Sequence, residues 1–271
     1  RRGPAAIRLA SNTWKQDPRV SLADVLGELG PEPVGPAGPL RIAHIVNPFT
    51  AAKGSAHARA QAATLASMRR AKGLAGDGLV VDLVAVRHVD DVLPGLDDFI
   101  MAPPLTRTVL DLASFAMPRP LPIMFDILER GVKASPDADL IVYTNVDINV
   151  APHFYATLQA LWSRGITSTT IGKRIVTQSY EADGAGALWP LAAADLGDGH
   201  RGFDCFVFPR RDFDSFVPSL ACVGMPAVDR SLLYNMVAQA ERMALLTNVQ
   251  MTYHFGNDRD WSNPEYRDYY R

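Results

Sequence analysis

The sequence predicts an α/β fold, a mixed and mostly parallel sheet flanked by helices, and three observations carry that expectation. Short apolar runs rich in Val, Ile and Leu recur at 40–46, 79–86 and 140–144. Helix-favouring segments lie between or after them, so strand and helix alternate as a parallel sheet requires. The composition, 48% hydrophobic and 21% charged over 271 residues, supplies a full-sized core and argues against a fibrous or disordered chain.

The elements follow in order. Residues 1–39 read as an N-terminal extension: a short helix over 21–29, then a stiff linker carrying Pro31, Pro33, Pro36 and Pro39. Leu40-Arg41-Ile42-Ala43-His44-Ile45-Val46 is a buried strand that stops at Asn47-Pro48. The Ala-rich stretch 55–70 is the helix after it. A second strand covers 79–86, and 90–122 is proline-rich without clear period. Met124, Ile127, Leu128 and Val132 recur at helical spacing, with Gly131 and Pro136 read as part of that helix's end. The third strand runs into Asn145-Val146-Asp147-Ile148-Asn149, and Pro152 opens a helix bearing Phe154, Leu158 and Leu161 on one face. Further strands are expected at 168–177, 203–208 and 245–253, a long loop at 181–201, and a helix from Pro226. The main domain therefore spans 40–271.

Charge and cysteine content narrow the function classes. With 27 basic and 29 acidic side chains the net charge is −2, poor support for a nucleic-acid partner. The longest stretch free of charged residues, 148–163, is interrupted by Asn149, His153 and Gln159, so no transmembrane segment is expected. No apolar signal-type core follows Arg1-Arg2-Gly3-Pro4, and the location read from this is cytoplasmic. Cys205 and Cys222, outside any CxxC or Cys/His cluster, read as buried thiols.

In open α/β sheets ligands bind beyond the carboxyl ends of the strands. Asn47, Asn145, Asp147 and His254 follow apolar runs and are the first candidates. A carboxylate behind Ile141-Val142-Tyr143 is costly to desolvate unless compensated, and a divalent metal would compensate Asp147. Asn145, two residues earlier, points to the same side; a turn cap is the other reading of both residues. His254 with Asp147 would form a mixed oxygen and imidazole set suited to Mn²⁺, and a satisfied structural histidine is the other reading of His254. Asp229, three residues after Pro226, sits where a helix dipole favours a carboxylate and where a general base could also stand. Gly197-Asp198-Gly199-His200-Arg201-Gly202 matches GxGxxG, but it leads into a strand, which disqualifies it as a dinucleotide loop.

Taken in order, these landmarks resemble the nucleotide-sugar-dependent glycosyltransferases of the GT-A fold, a Rossmann-like architecture. The corresponding text is Ile42-Ala43-His44-Ile45-Val46-Asn47-Pro48, Thr144-Asn145-Val146-Asp147, Gly202-Phe203-Asp204, Val228-Asp229-Arg230 and Tyr253-His254-Phe255-Gly256. It spans about residues 40–260, and Asn145 stands where the family's DxD motif has its first acid.

The resemblance implies a GT-A-like catalytic domain that moves a sugar from a nucleoside-diphosphate sugar donor to a glycan or small-molecule acceptor. It implies Mn²⁺ or Mg²⁺ on Asp147 and His254, and Asp229 as the base if the anomeric centre is inverted. Asn47, Pro48, Lys53, Arg119, Asn145 and Gly202 would meet the donor, with surface solvation as the other reading of Lys53 and Arg119. Trp189, within a segment that would close over the site, and Asp204 fall on the acceptor side. Two other readings compete: a sugar-nucleotide nucleotidyltransferase, and a catalytically inactive domain of the same fold that binds a sugar nucleotide or partner.

Overall fold

The computed structural model describes residues 5–8, 27, 38–176, 197–225, 228–247, 249–255 and 263–270. Within them ten strands form one mixed sheet: β1 (Ala5–Arg8), β2 (Leu40–Val46), β3 (Leu79–Ala85), β4 (Ile100–Met101), β5 (Leu140–Thr144), β6 (Ile148–Val150), β7 (Ser168–Val176), β8 (Asp198–Pro209), β9 (Arg242–Leu246) and β10 (Thr252–Phe255). The order is β1-β9-β7-β8-β5-β2-β3-β4, with β10 joining β7 to β6. The parallel pairs are β1–β9, β7–β9, β7–β10, β2–β3, β2–β5 and β3–β4. The antiparallel pairs are β5–β8, β7–β8 and β6–β10.

Side-chain alternation along β2 builds a core on each face of the sheet. Leu40, Ile42 and Val46 pack with α1 (Ala56–Gly73) and α3 (Phe154–Ser163), through Leu65, Met68, Phe154, Tyr155 and Leu158. Ala43 and Ile45 pack on the opposite face with α2 (Met124–Lys133) and α4 (Val228–Gln239), through Phe125, Ile127, Leu128, Leu232 and Met236. Ser55 caps α1 by accepting the Ala58 amide at 3.1 Å, and Arg70 and Lys72 suit the negative end of its dipole. The expected α/β architecture is the one found.

Five details depart from the sequence reading. Gly131 does not mark the end of α2, which runs on to Lys133; it allows the helix to touch the sheet, since a Cβ there would stand 2.5 Å from Ile45 Cδ1. Ala5–Arg8, inside the supposed extension, pairs in parallel with Arg242–Leu245 and so belongs to the sheet. The strand expected at 203–208 begins at Asp198, so the end of the supposed loop at 181–201 is β-structure; 181–196 lies outside the described residues. The single strand expected at 245–253 is two, β9 and β10, laid one after the other along β7. The break faces the irregular stretch of β7 around Gly172, where an added Cβ would lie 3.4 Å from Thr247. Finally, His254 sits within β10 rather than beyond a strand. The helix expected over 21–29 and the proline linker lie outside the described residues, apart from Gly27, which is helical.

Candidate functional site

The carboxyl ends of β2, β3 and β5 lie on one edge of the sheet, because the three strands run parallel in one register. β8 runs against β5, with Thr144 opposite Cys205, so its first half rises at that same edge. Asn145, Val146 and Asp147 turn the chain from β5 into β6, which pairs antiparallel with β10, Ile148 opposite His254. That register brings together two side chains 107 positions apart: His254 Nε2 lies 3.3 Å from Asp147 Oδ2. The His254 side chain is 11% exposed and Asp147 37%, so the pair sits at the surface end of the sheet.

A hydrogen-bond chain adjoins the pair. The Tyr143 hydroxyl donates to Asn145 Oδ1 at 3.1 Å, and Asn145 Nδ2 donates to Asp204 Oδ1 at 2.9 Å, tying β5 to β8. Burial pushes the Tyr143 phenol well above its ordinary range, and the Asp147 and Asp204 charges push it further, so both carboxylates stand near one phenol. Asn145 is thereby engaged at both ends of its amide.

Asp147 and His254 fit a hard divalent cation as a partial donor set, one carboxylate oxygen and one imidazole nitrogen. Among the described residues no group of three His, Cys, Asp or Glu side chains assembles into a protein-only cage. A divalent cation held there would need ligand oxygens and water to complete its shell, as Mg²⁺ and Mn²⁺ commonly do at phosphates.

The other sequence candidates distribute around this edge. Asn47 is buried at the end of β2, and its Nδ2 donates to Val86 O at 2.6 Å, fastening the ends of β2 and β3 together. Pro48 is buried beside it, and Lys53 is exposed in the following turn. That loop is further tied to the one after β3: Asp91 Oδ1 accepts the Thr50 amide at 2.7 Å, and Thr50 Oγ1 accepts the Val92 amide at 2.9 Å. Gly202 and Asp204 are half-buried on β8. Asp229 is half-buried in the first turn of α4, accepting the Arg230 amide at 2.8 Å. Because α4 leads to the start of β9, which is parallel to β7, its first turn with Asp229 lies toward the carboxyl ends of those strands. Arg119 is half-buried in the segment leading to α2. Trp189 lies outside the described residues.

Sequence reasoning missed a buried cluster directly behind the site. His44, fully enclosed in β2, is bonded through Nδ1 to the Tyr155 hydroxyl at 2.8 Å and through Nε2 to Thr144 Oγ1 at 2.9 Å. Burial pushes its imidazole down to about 3, so it is neutral at ordinary pH. The signal available was a histidine flanked on both sides by apolar residues, Ile42-Ala43 and Ile45-Val46, a position that demands partners for both nitrogens. Cys205 and Cys222 are free buried thiols, as expected, and no described helix is long and apolar enough to cross a membrane.

No protein-family model matches the chain, and no curated protein matches it in sequence. Among solved structures it is similar to S. aureus TarS 1–349 in complex with UDP-GlcNAc, at 8% identity and a TM-score of 0.47, covering 82% of this chain and 60% of that one. It is similar to the catalytic domain of Drosophila β1,4-galactosyltransferase 7 in complex with xylobiose, at 11% identity and TM-score 0.46, covering 86% and 80%. A third is 4-diphosphocytidyl-2C-methyl-D-erythritol synthase from Anaerococcus prevotii, at 13% identity and TM-score 0.41, covering 84% and 95%. The chain thus spans about 60% of the TarS chain it matches. At such identities the chemistry is read from the residues of this chain.

Proposed function

We propose that this protein is a glycosyltransferase that moves a sugar from a nucleoside-diphosphate sugar to an acceptor hydroxyl with divalent-metal assistance. The observation that carries the reading is the approach of Asp147 and His254 to 3.3 Å at the carboxyl edge of the sheet, where such folds hold their ligands. Mn²⁺ or Mg²⁺ held by that pair would supply Lewis-acid stabilisation of the charge on the departing diphosphate.

The chain's own residues take the remaining roles. Asn47 and Pro48 present the loop after β2 to the nucleotide, held by the bond from Asn47 to Val86. Lys53 and Arg119 meet phosphate oxygens, and Gly202 allows the donor to approach β8. Asn145, between Tyr143 and Asp204, holds the turn that carries Asp147. Asp204 and Trp189 face the acceptor. As the acceptor oxygen attacks the anomeric carbon and the bond to the diphosphate breaks, the hydroxyl proton passes to the Asp229 carboxylate.

Calorimetry with a panel of nucleoside diphosphates, with Mn²⁺ and in EDTA, tests the reading. The expected result is binding about tenfold tighter with metal, and loss of that difference in Asp147→Ala. Equal affinity in EDTA overturns the metal assignment. Release of nucleoside monophosphate or pyrophosphate from a nucleotide sugar, in place of diphosphate, would identify a nucleotidyltransferase instead. Asp229→Asn is expected to bind donor normally and to lose transfer.

A further inference from the structure

The last described segment, the 3-10 turn Pro264–Tyr270, docks on the stretch that leads to α2. The Tyr269 ring stacks on Phe115 with centroids 3.9 Å apart and planes 5° from parallel. Its hydroxyl donates to Met117 O at 2.8 Å and accepts the Arg119 amide at 2.7 Å. Asp268 Oδ2 accepts the Ala116 amide at 2.7 Å. The Tyr266 ring lies 4.6 Å below the Arg119 guanidinium carbon. Both the backbone and the side chain of Arg119 are therefore set by the C-terminal segment.

What Arg119 does with that placement is unusual for a half-buried cation. Its Nη1 is enclosed and has no hydrogen-bond partner among the described residues. Enclosing a charged N–H without an acceptor costs free energy, and an aromatic face cannot accept as an oxygen does, so this nitrogen fixes the guanidinium against Tyr266 while the residue as a whole stays half-buried. The guanidinium is a planar fork that matches the paired oxygens of a phosphate, and stacking on Tyr266 limits it to one plane. Its loop enters α2 at the sheet's functional edge, next to Cys222, whose bridge to Ile123 ties the approach to α4 to the same place. There, burial raises the Cys222 thiol and the Arg119 charge offsets part of the effect. The turn itself begins ten residues after His254 along the chain.

We propose that Tyr266 and Tyr269 are positioning residues that hold Arg119 ready for a phosphate of the nucleoside diphosphate. The proposal rests on the donor reading above and adds to it the C-terminal turn as part of the donor site.

The test is calorimetry on the full chain in Mn²⁺, with UDP, GDP and inorganic pyrophosphate as probes and melting temperature recorded alongside. Arg119→Lys keeps the charge and loses the fork, and is expected to weaken phosphate binding about tenfold. Tyr269→Phe keeps the stack on Phe115 but loses the hydroxyl bonds, and Tyr266→Leu loses the ring; each is expected to weaken binding about fivefold. Tyr266→Phe restores the ring and is expected to rescue binding. In turnover assays the donor KM should rise in Tyr269→Phe and Tyr266→Leu with kcat nearly unchanged, a split that loss of folded protein would not give. Unchanged affinity in Arg119→Lys, or Tyr266→Phe binding as weakly as Tyr266→Leu, overturns the proposal. If wild-type protein binds pyrophosphate through these three residues but no nucleoside diphosphate, the donor reading fails while the positioning role holds. If it binds neither, both fail.

Discussion

Two histidines of this chain, His44 and His254, stand on the same sheet and lead opposite lives. His44 is sealed between a threonine and a tyrosine hydroxyl and stacks on Phe154 at 5.8 Å; both ring nitrogens are taken. His254, at the end of β10, faces a carboxylate at 3.3 Å across a partly open edge. Thr144, which serves the first, is the residue immediately before Asn145, which belongs to the site. The contrast shows that an apolar neighbourhood identifies a strand but does not say what its polar residue is for. The partner decides: a buried hydroxyl holds an imidazole neutral and fixed, whereas a carboxylate leaves it able to share a cation.

The contrast can be broken or sharpened by measurement, and the largest effect is expected at the sealed histidine. His44→Ala strands two buried hydroxyls and opens a void beside Phe154, and should lower the unfolding free energy in urea by about 3–5 kcal/mol. A loss near zero would make His44 no more structural than His254.

Acid should expose the same residue. Its imidazole titrates near 6.5 in the unfolded chain and at about 3 when folded, so between those values the unfolded state binds a proton that the folded state refuses. Stability is then fully present above about pH 6.5 and falls by about 1.4 kcal/mol per pH unit toward pH 3. Urea titrations across that range should show a flatter slope in His44→Phe than in the wild type, and identical slopes would remove His44 as the cause.

The smallest stability effect is expected at His254, which lies at the rim of the sheet with its side chain 11% exposed. His254→Gln should change the unfolding free energy by about 1 kcal/mol or less. Its metal-dependent nucleotide affinity should nevertheless fall about tenfold in calorimetry. A large stability loss without any metal effect would erase the distinction between the two residues.

The legible parts of this molecule were those whose own residues form an apolar run or recur at helical spacing. Leu40–Val46 and Leu140–Thr144 are apolar on both faces because helices cover both, and such runs show themselves without any partner being known. The first four positions of β8, Asp198 to Arg201, carry no apolar alternation, and only pairing with β7 makes them a strand. Likewise β9 and β10 read as one run because a break imposed by the bulge in β7 leaves no trace in their own residues. Of the candidate site, Asp147 and His254 were legible as a pair to look for. Asn145 was expected to face the donor, yet its bridge from Tyr143 to Asp204 depends on β8 lying beside β5, which is long-range pairing. The clasp of Tyr266 and Tyr269 on residues 115–119 crosses about 150 positions of sequence, and a tyrosine-rich tail gives no hint of where it docks.

One missing methyl group has a reach beyond its own contact. With Gly131 pressed onto Ile45, α2 has no slack between itself and the sheet, and its opposite end, Met124, is tied by its amide to Ala221 O at 2.9 Å. The helix is therefore held at both ends, and the loop that carries Arg119 runs directly into it. A bulkier side chain at position 131 would have to push α2 off Ile45, so a change far from Asp147 and His254 is expected to lower the melting temperature without altering either residue.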